Sequence, residues 1–346
     1  MLKFVKILAI VTGLVIGSCV SPYEVNLPSN LKIMVVDASL TDIDDTQTIR
    51  ISETNNFFKN IYNTPVSNLN VQIIIDGKET IGLNETRAGV YALPFMFRVQ
   101  PGTTYKLRFQ KQDGTIYEST EEKTTRAPAI DKIFDEFEAE GIKEGEKRLA
   151  ANYVYVDFKD NPDEDNNYVW TWKLWEKQTI CHTDYYDFYC DSKCWEILTN
   201  KNFNVFSDVY SNGKPVYGKL IGKIPYYSFD GALLEITQQS VSAQAYRYFK
   251  LMSEQTQTSG TLVDTPPAPL IGNIKNISNP SEPVTGIFSV TSAVRLKYWL
   301  SRTNGIGKAI PVNLLGRTPI TTTLSIRYPC IDGPTRTPNM PDGWIE

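Results

Sequence analysis

Residues 151–160 read ANYVYVDFKD, residues 161–167 read NPDEDNN, and residues 168–177 read YVWTWKLWEK. The first and last segments alternate apolar and polar side chains, which is typical of a β-strand with one buried face. The middle segment is polar and carries a proline, as turns do. The stretch therefore predicts a β-hairpin whose inner face forms protein core rather than a ligand platform. Four large side chains share that face: Tyr168, Trp170, Trp172 and Leu174.

The region before this hairpin repeats the pattern in shorter runs. Between residues 31 and 125, alternating runs of strand length are separated by turn dipeptides such as Asp76-Gly77. No helical period interrupts them. We therefore expect an N-terminal immunoglobulin-like β-sandwich over residues 31–126. Pro128 marks the boundary, because proline interrupts a β ladder.

Residues 127–346 are predicted to form a larger β-rich α+β domain with one main helix and disulfide-stabilised loops. Residues 129–150 are charge-rich and fit either a helical start or an irregular strand and loop. Residues 243–258 have an apolar stripe at helical spacing, with Ser242 as N-cap and Gly260 after the end, so we expect a helix packed on a sheet. The irregular C-terminal tail would be held by Cys330 and by docking of Trp344.

The N-terminus reads MLKFVKILAIVTGLVIGSC, with two lysines before a short apolar run. That run is shorter than the roughly 20 residues that span a bilayer, so residues 1–18 are interpreted as a secretory signal. Residues 16–19 resemble a bacterial lipobox, which makes Cys19 the expected lipidation site and residues 19–30 a polar tether. The alternative is a chance cysteine after an ordinary signal peptide. A lipidated Cys19 would anchor the protein in a membrane.

The remaining four cysteines are Cys181, Cys190, Cys194 and Cys330. In an exported protein they predict two disulfides, with three connectivities open. Because Cys330 has no near neighbour, at least one bridge should join it to the middle of the chain. The alternative is a zinc site built from the first three cysteines and the adjacent His182.

Composition and motifs argue against several function classes. The 346 residues include 35 basic and 39 acidic side chains without a basic block, which disfavours a nucleic-acid partner. His182 is the only histidine, and no hydrolase, metalloprotease or phosphate-loop motif accompanies it. We therefore predict a protein that is not an enzyme and has no cofactor and no metal. A pair of glycosidase carboxylates stays possible, and residues 161–167 are expected to be a solvated hairpin tip rather than a calcium loop.

The segment 181–195, CHTDYYDFYCDSKCW, mixes aromatic rings with aspartates. Such a mixture suits contact with a protein or a sugar, and disulfides would lower the cost of ordering the loop. The alternative is a loop folded onto its own domain with its rings buried. The candidates for partner or ligand contact are Tyr185, Tyr186, Phe188, Tyr189 and Trp195.

Several segments together resemble a known family. They are SCVSPYE at 18–24, NNYVWTWKLWE at 166–176, the stretch from 240 to 274, VTGIFSVTSA at 284–293, and Cys330 with the closing PDGW. The chain resembles uncharacterised Bacteroidota outer-membrane lipoproteins, a domain of unknown function often encoded beside SusC-like TonB-dependent transporters. The resemblance implies an envelope role beside an outer-membrane barrel and assigns no catalytic residues.

These observations lead to one functional expectation and two alternatives. We expect a lipid-anchored outer-membrane accessory protein that docks on a β-barrel partner, either a TonB-dependent transporter or assembly machinery, and assists substrate capture or delivery. The first alternative is a stand-alone glycan- or peptide-binding lipoprotein, and the second is a carboxylate-dependent hydrolase. Whether the protein faces the cell surface or the periplasm is left open by the sequence.

Overall fold

The computed structural model describes residues 32–57, 60–178, 180–183, 188–191, 194–257, 270–311 and 330–346. This part of the chain is mainly β with one main helix, which confirms the predicted fold class. None of its helices is both long and apolar enough to cross a bilayer. The strands up to residue 159 are β1 (Met34–Thr41), β2 (Thr48–Phe57), β3 (Asn60–Pro65), β4 (Asn70–Ile75), β5 (Glu79–Gly82), β6 (Asn84–Arg87), β7 (Val90–Ala92), β8 (Thr104–Gln110), β9 (Ile116–Ser119), β10 (Glu122–Lys123), β11 (Ile130–Glu144) and β12 (Lys147–Lys159).

The later elements include the helix α1 (Ala243–Gln257) and a short 3-10 helix (Thr303–Gly305). The remaining strands are β13 (Asn167–Lys177), β14 (Ile180–Thr183), β15 (Phe188–Asp191), β16 (Trp195–Thr199), β17 (Asn204–Ser207), β18 (Pro215–Pro225), β19 (Ala232–Val241), β20 (Ile274–Asn276), β21 (Val284–Leu300) and β22 (Arg336–Thr337).

Two sheets pack around the first core. One is formed by β1, β2, β3, β6 and β7, and the other follows the order β20-β9-β8-β4-β5 with β10 beside β8. Alternating side chains of both sheets fill the space between them, including Val36, Ile51, Ile73 and Phe109. Phe288, from far along the chain, belongs to the same core. A late strand thus completes the first sheet pair; the immunoglobulin-like assignment and the boundary at residue 126 stay predictions.

The strand β21 joins the two halves of the protein. It pairs in parallel with β1 from Val284 to Thr291, and antiparallel with β19 from Ser292 to Leu300. The large sheet consequently continues through β19, β13 and β16 to β22. One sheet therefore supplies a wall to both cores.

The second core lies between this sheet and the three-stranded sheet β11-β12-β18. Residues 130–159 form the long β11–β12 hairpin, so the strand alternative for residues 129–150 is the one the structure has. On β13, Tyr168, Trp170 and Leu174 are completely buried, whereas Trp172 is half-buried. The inner face of β13 is therefore core, as predicted, with Trp172 at its margin. The predicted hairpin is wrong, because β12 pairs with β11 and β18 while β13 pairs with β16, β17 and β19 of the large sheet. The two strands face each other across the second core instead of sharing a ladder.

The helix α1 covers the opposite face of the large sheet. Ser242 caps it, because its Oγ accepts a hydrogen bond from the Ala245 N–H at 3.1 Å, as the sequence predicts. Ala245 packs with Val169 of β13 and Val241 of β19. The expected packing of a helix on a sheet is thus present; Gly260 lies outside the described residues.

The C-terminal tail is fixed on the large sheet by a covalent bond and by ring contacts. Cys194 and Cys330 form a disulfide with their Cα atoms 5.7 Å apart. The ring of Trp344 lies edge-on to those of Trp195, at 5.9 Å between centroids, and Trp299, at 5.0 Å. The bridge is the connection to the middle of the chain that the isolated position of Cys330 predicts.

Candidate functional site

An open groove of about 520 Å³ lies at the margin of the second core, which is within the roughly 300–1,000 Å³ of small-molecule sites. Its walls are β18, the loop from residue 199 to residue 204, and the far end of the β11–β12 hairpin. The strand pairing explains the opening. On one side of β13, β17 pairs with residues 167–170 and β16 pairs with residues 173–177. Trp172 lies between these two segments and therefore has no strand partner on that side.

The loop takes the place of the missing strand partner. The Trp172 N–H donates to Asn200 Oδ1 at 3.0 Å, and the Asn200 N–H donates to the Trp172 carbonyl at 3.3 Å. The Asn200 side chain also donates to the Asn202 carbonyl at 3.0 Å. Phe203 packs its ring 4.7 Å from that of Phe249 on α1. Both ends of the loop are therefore held, which makes the groove a preformed feature.

The indole of Trp172 lines the floor of the groove. Within the described part of the chain, its Nε1–H has no hydrogen-bond acceptor, although the residue is half-buried. Gly222 makes room for the ring, because a Cβ at that position would lie 2.7 Å from Trp172 Nε1. The groove thus contains a fixed aromatic ring with an available donor.

Polar groups surround the indole. Asn204 Nδ2 donates to the Leu220 carbonyl of β18 at 2.8 Å, and its Oδ1 has no partner among the described residues. Asn202 is exposed beside it. Exposed Lys201 and Glu144 bring one charge of each sign to the rim. The lining therefore offers hydrogen-bond donors and acceptors around one aromatic ring, and it includes charged groups of both signs.

A second lysine at the rim is turned toward the protein. Lys223 Nζ lies 3.4 Å from the Gly141 carbonyl and 4.7 Å from the centroid of the Tyr153 ring. Both contacts stabilise an ammonium group. Lys223 is therefore held at the rim by two neutral partners and keeps its positive charge.

A pair of buried carboxyl groups lies elsewhere, beside the connection between β12 and β13. Asp160 accepts hydrogen bonds from the Tyr168 hydroxyl and, at 2.7 Å, from the Gly213 N–H. Asp208 Oδ1 accepts from the Asn166 N–H at 2.8 Å, while its Oδ2 has no hydrogen-bond partner among the described residues. Burial and the nearby Asp160 raise the pKa of Asp208 to about 6. This pair ties two loops together and does not open to solvent.

A buried ion pair closes the other end of the second core. Arg302 and Glu176 are both fully buried and in direct contact. The Arg302 guanidinium also donates to the carbonyls of Ser228 at 3.0 Å and Pro225 at 3.1 Å. These bonds fasten the loop after β18 to the end of β21, which is a structural role.

The structure separates the predicted contact residues. Tyr185 and Tyr186 lie outside the described residues, and Phe188 and Tyr189 are described only as backbone of β15. Trp195 is 5% exposed and packs against Trp344, so it does not lie on the surface that the contact prediction requires. Its ring is buried because the disulfide-linked tail folds over β16.

The predicted lipidation and disulfide residues also have different outcomes. Cys19 lies outside the described residues. Cys181 and Cys190 lie directly opposite each other in the β14–β15 hairpin, and their bridging stays a prediction. Cys194 is paired with Cys330, which removes it as a thiolate for the alternative zinc set with His182.

Residues 161–167, predicted as a hairpin tip, connect strands of two different sheets and are mostly solvated. Asp163, Glu164 and Asp165 are exposed, whereas Asn166 is buried and donates to the carbonyls of Asn161 at 3.0 Å and Glu164 at 2.7 Å. In the described part of the chain, no group of three or more His, Cys, Asp or Glu side chains could hold a metal ion.

The groove residues other than Trp172 were missed by the reasoning from sequence. The loop TNKNFN at 199–204 carries three asparagines in five positions, which is a turn signal and gives no ligand by itself. Its relation to Trp172 depends on the gap between β16 and β17, which only the pairing reveals.

Comparison with known proteins supplies a family and no activity. No curated protein and no solved structure matches the chain. A family model described as a domain of unknown function, DUF4249, matches residues 20–297, which include β1 to β20, the groove and most of β21. The chain therefore belongs to the DUF4249 family.

Proposed function

We propose that the protein is a lipid-anchored accessory protein of the outer membrane that binds a substrate in the groove beside Trp172. In this proposal it docks on a β-barrel membrane partner, a TonB-dependent transporter or assembly machinery, and assists capture or delivery of that substrate. The groove is the observation that carries the proposal, because it is preformed, open to solvent and lined by unused polar groups around an aromatic ring.

The lining supports binding rather than hydrolysis. Glu144 is the only carboxylate among the described residues that line the groove. Hydrolysis of a glycosidic bond by the usual routes requires two carboxyl groups that flank the bond. The buried pair Asp160 and Asp208 does not serve, because it is engaged by the β12–β13 connection and has no access to a ligand.

The membrane location and the barrel partner are supported by the N-terminal sequence and by the resemblance to outer-membrane lipoproteins. Lys3 and Lys6, the short apolar run and the four residues ending at Cys19 have the order of a lipoprotein signal. The alternative of a stand-alone glycan- or peptide-binding lipoprotein is favoured by one observation. The groove is built entirely by this chain, so binding there does not require a partner.

Affinity purification from native membranes tests the docking. The full-length protein, with a C-terminal tag, is solubilised in mild detergent and captured, and its partners are identified by mass spectrometry. A Cys19→Ala variant, which cannot receive the lipid, is the control. We expect a β-barrel protein with the wild type and much less of it with the variant. If the wild-type protein captures no β-barrel protein, the docking is refuted. If the wild type and the variant capture equal amounts of it, the need for the anchor is refuted.

A further inference from the structure

We propose that the groove binds a neutral oligosaccharide, with one sugar ring against Trp172 and its hydroxyl groups on the surrounding amides. This inference rests on the proposed binding function and names the substrate class of the same site. It follows from four features of the groove: the indole, the unused hydrogen-bonding atoms, the charge balance and the state of the β18 edge.

The indole provides an apolar surface and a donor in one rigid group. A sugar ring has C–H groups on its faces and hydroxyls at its edge, so it matches a partly exposed indole whose N–H is unpaired. Hydrogen bonds with Asn200 fix the main chain of Trp172, and the close approach of Gly222 confines its indole. Little side-chain freedom is lost on binding, which favours affinity for a weakly interacting ligand.

The unused atoms suit hydroxyl groups, which both donate and accept. The Trp172 Nε1–H is a donor, Asn204 Oδ1 is an acceptor, and the exposed amide of Asn202 supplies both. Lys201 and Glu144 at the rim add one strong donor and one strong acceptor. A ligand with several hydroxyl groups around its ring can pair with all of these groups.

The charges disfavour an ionic ligand. The charged residues of the lining are Lys201, Lys223 and Glu144, which leave a net charge of only about +1, and Lys223 is turned toward the Gly141 carbonyl and the Tyr153 ring. A phosphate or polyanion site would require several converging cations or backbone N–H groups. The groove presents neither arrangement, so a neutral polar ligand fits it best.

The edge of β18 disfavours an extended peptide. Peptides commonly add a strand to a free sheet edge and obtain affinity from main-chain hydrogen bonds. Along the groove, the Leu220 carbonyl already accepts from Asn204, and the indole of Trp172 covers Gly222. The hydrogen-bonding edge of β18 is therefore blocked at two positions, so a peptide strand cannot pair along it.

Titration of the mature protein, in detergent, with soluble oligosaccharides tests the proposal. The probes are neutral malto-, cello-, xylo- and manno-oligosaccharides, with an oligogalacturonate as the anionic arm and a set of unstructured peptides as the peptide arm. Binding is measured by calorimetry and by tryptophan fluorescence. We expect at least one neutral oligosaccharide to bind and the anionic and peptide arms to bind more weakly or not at all.

Matched variants locate the binding. Trp172→Phe keeps a ring and removes the donor, so we expect a five- to tenfold weaker affinity. Gly222→Ala displaces the indole without a positive backbone φ and should weaken binding more than tenfold. Trp175→Phe is the control, because Trp175 lies on the same strand, outside the groove, with its ring 4.5 Å from Lys173 Nζ. Circular dichroism and thermal unfolding establish that each variant is folded.

The outcomes separate this inference from the proposed function. No binding of any neutral oligosaccharide, or binding that Trp172→Phe and Trp175→Phe weaken equally, would overturn the sugar assignment. Preference for the peptide or anionic arm would overturn it as well. Capture of the β-barrel partner by the Trp172→Phe variant is measured in parallel. A variant that still captures the partner but no longer binds sugar supports both proposals. If the wild-type protein captures no barrel partner, only the docking is refuted.

Discussion

Replacing Asp208 by asparagine is predicted to stabilise the protein at neutral pH. Asp208 is completely buried beside the Asp160 carboxyl, and its pKa is raised from 3.8 to about 6. A raised carboxyl pKa means that the folded state holds the proton more tightly than the unfolded state. The contribution of Asp208 to the free energy of unfolding is therefore most favourable below pH 3.8. It becomes less favourable as the pH rises to about 6, and it stays constant at higher pH.

The expected magnitude follows from that difference in pKa. At about 1.36 kcal/mol per pH unit, the rise from 3.8 to about 6 corresponds to an upper limit of about 3 kcal/mol at pH 7. Asparagine keeps the oxygen that accepts the Asn166 N–H, and its amide can donate to Asp160. Asp208→Asn should therefore remove most of this cost without leaving an unpaired buried group.

Urea denaturation at a series of pH values from 4 to 8 measures the effect. Tryptophan fluorescence follows the second core, which contains Trp170. The stability gain of Asp208→Asn over the wild type should be small at pH 4 and rise to its maximum by pH 7. Asp163→Asn, in the exposed part of the β12–β13 connection, is the control and should show no such change. A gain that is the same at pH 4 and pH 8, or a less stable variant at pH 8, would refute the reasoning.

Two further predictions concern the attachment of the tail and the buried ion pair. Replacing Cys194 and Cys330 by serine should reduce the free energy of unfolding by about 3–5 kcal/mol, because the bridge joins residues 136 positions apart; an unchanged urea midpoint would contradict this. Arg302→Met should cost about 3–5 kcal/mol, because it removes the cation that faces the buried Glu176 carboxylate. Adding Glu176→Gln to that variant should restore much of the loss, and a double variant as unstable as the sum of the two single ones would disprove the charge argument.

The fold class and several local elements could be predicted from sequence because their signals are local. The alternation of residues 168–174 identifies the buried face of β13, and Ser242 marks the start of α1. The sequence could not decide between helix and strand for residues 129–150, because their many charged side chains obscure the alternation of apolar and polar residues. They form an edge hairpin with one solvent-exposed face, where charged residues are tolerated.

The candidate site was predictable only in part because it depends on long-range pairing. Trp172 belongs to the aromatic stripe seen in the sequence, yet its half-exposure results from the gap between β16 and β17. Gly222 contributes by its lack of a side chain, which no local pattern marks as functional. Likewise, the parallel pairing of β1 with β21 joins the two ends of the chain, and sequence alternation alone does not reveal such a pairing.

The central claim is that the groove beside Trp172 is where this protein binds its substrate. A crystal structure of the mature protein with the tightest-binding neutral oligosaccharide tests that claim most directly. The account predicts electron density for a sugar ring against the indole, with a hydroxyl accepting from Trp172 Nε1–H and another donating to Asn204 Oδ1. An empty groove in crystals with sugar bound at another surface would contradict it.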